Sequence, residues 1–563
     1  MTDRITSQLI SSSLLYTSEE MGIALRNASY SPNIKERMDH SAAVFDPSGR
    51  LLAQAEHIPV HLGSLPWGLR NMVRYCIKEA MEFEQGCMIA ANNPYITGTH
   101  LNDVTVIAPI HYRGKLVGFA ANKAHHADVG GKVPGSISME SRSVFEEGFV
   151  VDPVYLVRRG RFLPKSIELF SSRSRTPAER VGDLKAQVAA NVTGSRRVTE
   201  LISRYGLDAF KTAADDSIRY AETVAKKRLS LLNRGIYRAV DYLEHPDGGD
   251  IRLAVTVRVS DSAIEIDYRG TASQLDIPLN AVLGVTISGA FFVFRSLVGH
   301  DLPANEGAFS PVVVRAPSGT LVNPTFPHPV GGGNVETSQR NADLLFKALY
   351  HAAPKLVPAA CGGSMNNVMM GGRHRSRGWA FYETIGVGLG GKEGMDGLDG
   401  IQANMTNTMN TPLEELERSF PVMLTRYEFR EDSPGPGRYR GGAGIVRGYR
   451  MLGRRTVFTV ISERERHRPW GLAGGGHGAA TRVFLIRNGR MKRIGSKRTV
   501  VLGMGDEVVI FTAGGGGYGK PHLRDRDAIW RDMSNGIITP AYARRHYEIR
   551  VVSRSPRRRP VPS

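Results

Sequence analysis

Four clusters of glycine in the last part of the chain restrict the possible fold more than any other feature of the sequence. They are GGG at 331–333, GVGLGG at 386–391, GGAG at 441–444 and GGGGYG at 514–519. Strand-like runs such as TVFTVIS separate them. Glycine lets two backbone segments approach closely and adopts turns that other residues resist, but it weakens helices. We therefore predict that residues 246–550 form a β-rich region with long ordered loops.

The charge and the hydrophobic content of the 563-residue chain indicate a folded, basic protein. Lys plus Arg is 73 and Asp plus Glu is 54, which gives a net charge of +19, while 41% of the residues are hydrophobic. This hydrophobic content is too high for a disordered chain. A solvated Arg-rich surface explains the charge, and a non-catalytic or nucleic-acid-binding protein remains an alternative. The Arg- and Pro-rich end, 551–563, is predicted to be a disordered basic tail.

The sequence lacks the signals of membrane or secreted proteins. No stretch approaches the roughly 18 apolar residues of a membrane helix, and MTDRITSQLISSS lacks the apolar core of a signal peptide. The three cysteines, Cys76, Cys87 and Cys361, have no C-x-x-C spacing, which argues against a disulfide framework and a cysteine-built zinc site. We expect a cytoplasmic protein without a membrane partner, in which any metal is held by histidines and carboxylates.

Hydrophobic periodicity indicates an α+β fold, a large multi-layer body with helical N-terminal and middle segments. Residues 1–175 combine an amphipathic helix at 5–28 with two hairpins, AAVFDPSGRLLAQA and VIAPIHYRGKLVGFAA. Residues 176–245 show long helical periodicity. Two strands at 251–270 and a short apolar helix near 284–298 follow.

The densest cluster of metal-binding residue types lies in the segments NNPYITGTHLND and AHHADVGG. It contains His100, Asp103, His125, His126 and Asp128. Imidazole nitrogens and carboxylate oxygens suit Zn, Mn or Fe, and a site with three protein ligands leaves an open position where water can be activated. The alternative is that these residues cap loops or satisfy buried carbonyl groups, and the spacing alone leaves both interpretations open.

Other polar motifs have simpler interpretations. His57 and His61 in EHIPVHLG are at least as compatible with structural roles as with ligation. Cys361, alone among small residues, is expected to be packed and inert. The run GGGGYGKP has the spacing of a phosphate-binding loop, but Pro521 stands where Ser or Thr must hold Mg²⁺. We therefore do not predict that this chain binds ATP itself.

Several long motifs resemble the hydantoinase B family. They are EEMGIALRNASYSPNIKERMDHSAAVFD at 19–46, AQAEHIPVHLGS at 53–64, NPTFPHPVGGGNVETSQRNAD at 323–343 and GPGRYRGGAGIVR at 435–447. This family includes the B half of 5-oxoprolinase, the B subunit of N-methylhydantoinase and the related alpha subunit of acetone carboxylase. The motifs occur in the family's order over nearly the whole chain.

The resemblance implies a metal site and assigns its ligands. Members of this family are expected to hold a divalent metal through an H-x-x-D pair and a downstream histidine. These positions fall on His100, Asp103 and His125, with Asp39 as a further ligand. Mn, Zn and Fe all suit such ligands.

The same resemblance suggests roles for neighbouring residues. His126 is predicted to be a catalytic residue or an alternative ligand, and Asp128 a catalytic residue that orients an imidazole. Lys35 and Arg37 are predicted to meet the charge of a phosphoryl group. Asn93 occupies a position where the family usually has aspartate, so it is expected to contact the substrate and to alter substrate or metal preference.

The function that the resemblance implies is that of a B-type subunit. A separate A-type, ATP-binding subunit of sugar-kinase-like fold would phosphorylate the oxygen of a small cyclic amide. This chain would then open the ring with metal-activated water. A ketone carboxylase, which joins the activated substrate to CO₂, is the alternative, and bicarbonate dependence separates the two. We also expect a homodimer of this chain within a hetero-oligomer.

Overall fold

The computed structural model describes residues 4–55, 57–299, 301–375 and 377–549. The predicted disordered tail, 551–563, lies outside the described residues. Helices and four β-sheets form one mixed body, which confirms the predicted α+β class. Among the described helices, none is both long enough and apolar enough to cross a bilayer.

The first sheet has seven strands, and all of its neighbouring strands are antiparallel. In chain order its strands are β1 His40–Phe45, β2 Leu51–Gln54, β3 Met88–Ala91, β4 Asp103–Tyr112, β5 Lys115–His125, β6 Val154–Arg158 and β7 Arg161–Phe162. Their order in the sheet is β2-β1-β5-β4-β3-β6-β7. The two predicted hairpins are confirmed as β1–β2 and β4–β5.

Helices cover both faces of this sheet. In chain order the helices are α1 Arg4–Ala28, α2 Pro32–Lys35, α3 His61–Lys78, α4 Pro94–Thr97, α5 Val144–Glu147, α6 Pro164–Ser171, α7 Pro177–Tyr205 and α8 Leu207–Leu229. Side chains alternate along each strand. Ala42 and Val44 therefore pack towards α1, α7 and α8, whereas Ala43 and Phe45 pack towards α3.

The second sheet begins earlier than the sequence suggests. Its strands are β8 Gly235–Glu244, β9 Asp250–Val259, β10 Ile264–Asp267 and β11 Val312–Arg315. The helical region predicted for 176–245 therefore ends at Leu229. Helices α7 and α8 occupy most of the predicted range, and the prediction was wrong only for its end, which is the strand β8. The apolar residues of this strand follow a helical repeat; they are Ile236, Ala239, Val240 and Leu243. The two strands predicted at 251–270 are confirmed as β9 and β10.

Two long helices and two short ones lie beside the second sheet and after it. They are α9 Leu283–Val298, α10 Glu306–Phe309, α11 Ser338–Leu349 and α12 Leu413–Ser419. The apolar helix predicted near 284–298 is confirmed as α9. A π-helical turn at Gly333–Thr337 leads into α11, which packs on β8 and β9.

The C-terminal part contains two further antiparallel sheets that share one apolar core. Their strands are β12 Asn367–His374, β13 Arg377–Glu383, β14 Val422–Phe429, β15 Ile445–Met451, β16 Thr456–Ile461, β17 Arg482–Arg487, β18 Arg490–Ile494, β19 Lys497–Leu502 and β20 Glu507–Phe511. Helices α13 Arg526–Ser534 and α14 Pro540–Tyr547 follow. The observed strands agree with a β-rich C-terminal region, and the predicted domain boundaries stay predictions.

Three of the four glycine clusters, 386–391, 441–444 and 514–519, pack against one another as a glycine layer. Backbone groups of one cluster bond to the next, as from the N–H of Gly515 to the carbonyl oxygen of Gly442 (2.9 Å). A Cβ on either residue would lie 1.8 Å from a backbone oxygen. Only glycine can fill these positions without moving the backbone.

Candidate metal centre

The β4–β5 hairpin brings three predicted ligands together. Asp103, the first residue of β4, pairs in register with His125, the last residue of β5. His100 lies in the turn before β4. Its Nε2 is 3.0 Å from Asp103 Oδ1 and 3.1 Å from His125 Nδ1, and His125 Nδ1 is 3.1 Å from Asp103 Oδ1. We call these three residues the triad, and each is at most 2% exposed.

The geometry of the triad fits a divalent metal ion. Ligand atoms about 2.1 Å from an ion, at tetrahedral or octahedral angles, are about 3.0–3.4 Å from each other. His100 Nδ1 is 3.2 Å from the carbonyl oxygen of Gly331, so this nitrogen carries the proton and donates it. In the neutral, metal-binding form of His100, the lone pair of Nε2 is thereby directed at the other two ligand atoms, as in metal sites whose histidines are held by an outer hydrogen bond.

Two further residues border the triad. Asp39 Oδ2 is 4.0 Å from His125 Nδ1, and the backbone carbonyl of Asp39 accepts a hydrogen bond from the N–H of His125. His61, the first residue of α3, lies 3.3 Å from Asp103 Oδ2 through Nε2 and 2.9 Å from Ser41 Oγ through Nδ1. Asp103 therefore faces three imidazoles. The sequence is equally compatible with a purely structural His61, and nothing in its spacing shows that it reaches Asp103.

The electrostatics of these carboxyl groups differ. Burial alone would raise the pKa of Asp103, but the charge and hydrogen bonds of the surrounding histidines hold it well below its usual range. Burial raises the pKa of Asp39, although the charges of His125 and Arg37 oppose this rise. Asp103 is therefore the anion of the site, while Asp39 holds a proton more readily.

The buried carboxyl group of Glu147 holds in place the backbone segment that bonds to His100. Glu147 accepts hydrogen bonds from the backbone N–H groups of Val330 (3.0 Å) and Gly331 (2.8 Å), whose carbonyl holds His100. Burial raises the pKa of Glu147 to about 7, against the effect of those two N–H groups. The GGG cluster at 331–333 lets this segment pass close to another backbone segment of the same chain, since a Cβ on Gly333 would lie 1.9 Å from a backbone oxygen of that segment.

A tyrosine from the C-terminal half covers the triad. The ring of Tyr382 in β13 stacks on His125 with centroids 4.5 Å apart and planes inclined by 16°. Its hydroxyl donates to Asn367 Oδ1 (2.9 Å). The Arg37 guanidinium lies 4.9 Å from the centre of the same ring. Sequence reasoning missed Tyr382, because no local pattern links β13 to the hairpin.

The predicted phosphate-binding residues do not converge on the triad. Each of the five N–H groups of Arg37 donates to an oxygen, those of Asn33, Tyr382, Thr384, Thr408 and Met409. No N–H of Arg37 is therefore left for a phosphoryl group. Lys35 is exposed on α2. Asn93 caps the N-terminus of α4, where its Oδ1 accepts from the N–H of Tyr95 and its Nδ2 donates to Asp152.

The predicted catalytic residues His126 and Asp128 are engaged elsewhere. His126 Nε2 is 3.0 Å from Gln187 Oε1 on α7, and burial lowers the pKa of His126 to about 4. Asp128 accepts from the backbone N–H groups of Gly130, Gly135 and Arg175 and from the Arg175 guanidinium. Asp128 holds a loop rather than an imidazole, so we assign neither residue a catalytic role.

This chain has relatives in several organisms, and two of those described here have names that state an activity. An uncharacterized protein of Methanocaldococcus jannaschii is 46% identical over 552 residues, which are 98% of this chain and 97% of that protein. A 5-oxoprolinase of Dictyostelium discoideum is 34% identical over 530 residues, 92% of this chain. The chain spans only 40% of that 5-oxoprolinase. A Pseudomonas sp. (strain NS671) protein named as the B component of a D-/L-hydantoinase is 31% identical, over 98% of this chain and 95% of that protein.

A solved structure and a family model agree with these relatives. The ATP-dependent caprolactamase of Pseudomonas jessenii superposes with a TM-score of 0.91 at 27% identity, over 98% of this chain and 97% of that chain. The model of the Hydantoinase B/oxoprolinase family matches residues 3–521. The chain therefore belongs to the hydantoinase B/oxoprolinase family.

Proposed function

We propose that this chain is the metal-dependent, ring-opening component of an ATP-dependent hydrolase of cyclic amides. The observation that carries the proposal is the triad, whose three ligand atoms lie 3.0–3.1 Å apart in a buried site. Histidine and carboxylate ligands suit Zn, Mn or Fe. The names of the relatives, a 5-oxoprolinase, a hydantoinase component and a caprolactamase, support a cyclic amide as the substrate.

The residues around the triad have complementary tasks in this reaction. His100, Asp103 and His125 would hold a divalent ion, and such an ion would supply Lewis-acid chemistry that makes water a nucleophile at neutral pH. The Gly331 carbonyl keeps the Nε2 lone pair of His100 directed into the site. Asp39, at 4.0 Å from His125, suits either a further ligand or the group that accepts the proton lost by the water.

The ATP-dependent step is assigned to another protein. An amide carbon is a poor electrophile, and a phosphoryl group on the amide oxygen makes that oxygen a good leaving group. An A-type subunit would make this transfer. One water would then add to the activated carbon and form a C–O bond, and the ring C–N bond would break as the nitrogen takes up a proton, which leaves an acyl phosphate. A second water would hydrolyse this acyl phosphate and release phosphate. The name of the caprolactamase supports the use of ATP. In this chain, Gly515 of GGGGYGKP is packed in the glycine layer, which argues against a phosphate site there.

Reconstitution tests the proposal. The purified chain is combined with an A-type subunit, ATP and one of three substrates, hydantoin, 5-oxoproline or caprolactam, with and without bicarbonate. We expect the ring-opened product together with ADP and phosphate, no need for bicarbonate, and loss of turnover in His100→Ala. Product formation that requires bicarbonate would instead establish the carboxylase alternative. Unchanged turnover in His100→Ala would overturn the proposed metal centre.

A further inference from the structure

A cavity of about 390 Å³ lies outside the triad, between the end of β2 and helix α9. Its apolar walls include Ile58, Pro59, Leu62 and Phe292. A volume of this size suits a small ring compound. None of the three triad residues lines this cavity.

Two acceptor atoms of the lining, on Gln54 and His57, have no hydrogen-bond partner among the described residues. Gln54 is 2% exposed, and its Oε1 is buried without a hydrogen-bond partner among the described residues. The orientation of its amide is fixed, because Nε2 donates to the carbonyl oxygen of His61 (3.4 Å). His57 Nδ1 is likewise buried, and no described residue bonds to it. A buried polar atom without a partner is costly, so a ligand that satisfies it gains affinity.

The protonation of these two atoms indicates which kind of ligand the cavity can bind. Burial lowers the pKa of His57 to about 4, so the ring is neutral at pH 7. Its Nε2 faces the carboxylate of Glu19 at 3.7 Å, which favours the proton on Nε2 and leaves Nδ1 as an acceptor. Gln54 Oε1 is also an acceptor. Besides its apolar walls, the cavity therefore offers these two acceptors, and the polar side chains of Arg295, Ser296 and Asn407 also line it. The two acceptors suit a small ring carrying N–H groups.

We propose that this cavity is a binding site for a cyclic amide or ureide, recognised through its N–H groups. The choice of this ligand class rests on the proposed function, whereas the requirement for N–H donors rests on the cavity alone. Gln54 also connects the cavity to the triad, because it bonds to the backbone of His61, whose ring contacts Asp103. The site would hold the ring compound near the metal centre without using the triad.

Binding of hydantoin, which has two N–H groups, tests the proposal against 1,3-dimethylhydantoin, which has none. Affinities are measured by calorimetry on the purified full chain, without metal, ATP or partner. We expect saturable binding of hydantoin and binding of the dimethyl compound at least about tenfold weaker. Equal affinity for the two compounds, or no saturable binding of hydantoin, would overturn the proposal.

Variants locate the binding. Gln54→Met keeps the length of the side chain but removes the acceptor, and we expect it to bind hydantoin about tenfold more weakly. His57→Phe should act in the same direction and serves if Gln54→Met does not fold. His126→Ala is the control, because its ring bonds to Gln187 and does not line the cavity, and it should bind hydantoin like the wild type. A loss in His100→Ala with unchanged binding in Gln54→Met and His57→Phe would place the ligand at the triad instead.

The failure of this proposal can be told apart from failure of the proposed function. Hydantoin binding that depends on Gln54, in a chain that supports no ring opening after reconstitution, would retain the cavity and reject the function. Ring opening that depends on His100, with no binding at the cavity, would do the reverse.

Discussion

The two sides of the triad come from different parts of the chain. The ligand side is local, since His100, Asp103 and His125 belong to one hairpin and the turn before it. The covering side is distant, since Gly331 meets His100 from 231 positions away and Tyr382 belongs to β13. One hairpin and the turn before it thus supply the ligand side chains, whereas distant segments of the chain orient them. Changes on the ligand side should remove the metal, and changes on the covering side should weaken its binding.

The largest effect is expected on the ligand side. Replacing His100 or Asp103 with alanine removes one of three protein ligands, so metal affinity should fall more than about 100-fold, beyond the loss seen for outer-sphere partners. Elemental analysis after removal of loosely bound ions measures the effect. His126→Ala is the matched control, because His126 contacts α7, and it should retain metal. Stoichiometric metal in His100→Ala and Asp103→Ala would show that the triad is not the site.

An intermediate effect is expected at Glu147, on the covering side. Glu147→Ala releases the segment whose carbonyl orients His100, so metal affinity should fall about 10–100-fold while saturation remains possible. Competition with a chromogenic chelator measures this affinity. The neighbouring Glu146, which forms a partly exposed ion pair with Lys132, provides the control Glu146→Ala. Equal affinities in the two variants would show that the carbonyl of Gly331 needs no support from Glu147.

The close backbone contacts of the glycine layer are expected to contribute to the stability of the protein. Gly515→Ala places a Cβ against a backbone oxygen and should lower the free energy of unfolding by about 3 kcal/mol. Gly249→Ala is the control, because the nearest atom to its Cβ would be 3.7 Å away, and its effect should stay within about 0.5 kcal/mol. Urea unfolding measures both variants. Similar free energies of unfolding for Gly515→Ala and Gly249→Ala would mean that the backbone of the glycine layer shifts to accommodate the added Cβ.

The smallest effect is expected at Tyr382. Tyr382→Leu removes the stacked ring, an interaction of about 0.5–1.5 kcal/mol, and should weaken metal binding only a few-fold. Tyr382→Phe keeps the ring and loses the bond to Asn367, so its metal affinity should match the wild type. Metal titration separates the two variants. A larger loss in Tyr382→Phe than in Tyr382→Leu would assign the role of Tyr382 to its hydroxyl rather than to stacking.

The sequence predicts the site best where residues of the right chemical type also lie close together along the chain. His100 and Asp103 are three residues apart, and the alternation of β4 and β5 predicts the hairpin that returns His125 to them. Family resemblance supplied the choice of these three among several polar residues. The α+β class followed from periodicity in the same way.

The remaining features depend on contacts between distant segments. Tyr382 and Gly331 meet the triad through contacts between segments that are far apart in the chain, and no local pattern encodes those contacts. The family resemblance predicts chemical roles for Asp128 and Arg37, which lie in or beside the motifs that carry it. In the structure these two side chains bond to backbone groups, threonines and another side chain instead. Residue types that bind ligands also satisfy buried backbone groups, and sequence alone does not separate the two uses.

The distance along the chain between His125 and Tyr382 has a consequence for protein synthesis. The separation is 382 − 125 = 257 positions, and a ribosome that adds about 5–20 residues per second needs roughly 13–50 s to cover it. During that interval the ligands are made but their cover is not, so ions have open access to them. For the proposed metal centre, we therefore expect the bound ion to reflect which metals were abundant during translation, and cells grown in zinc-rich or manganese-rich medium should yield differently loaded protein.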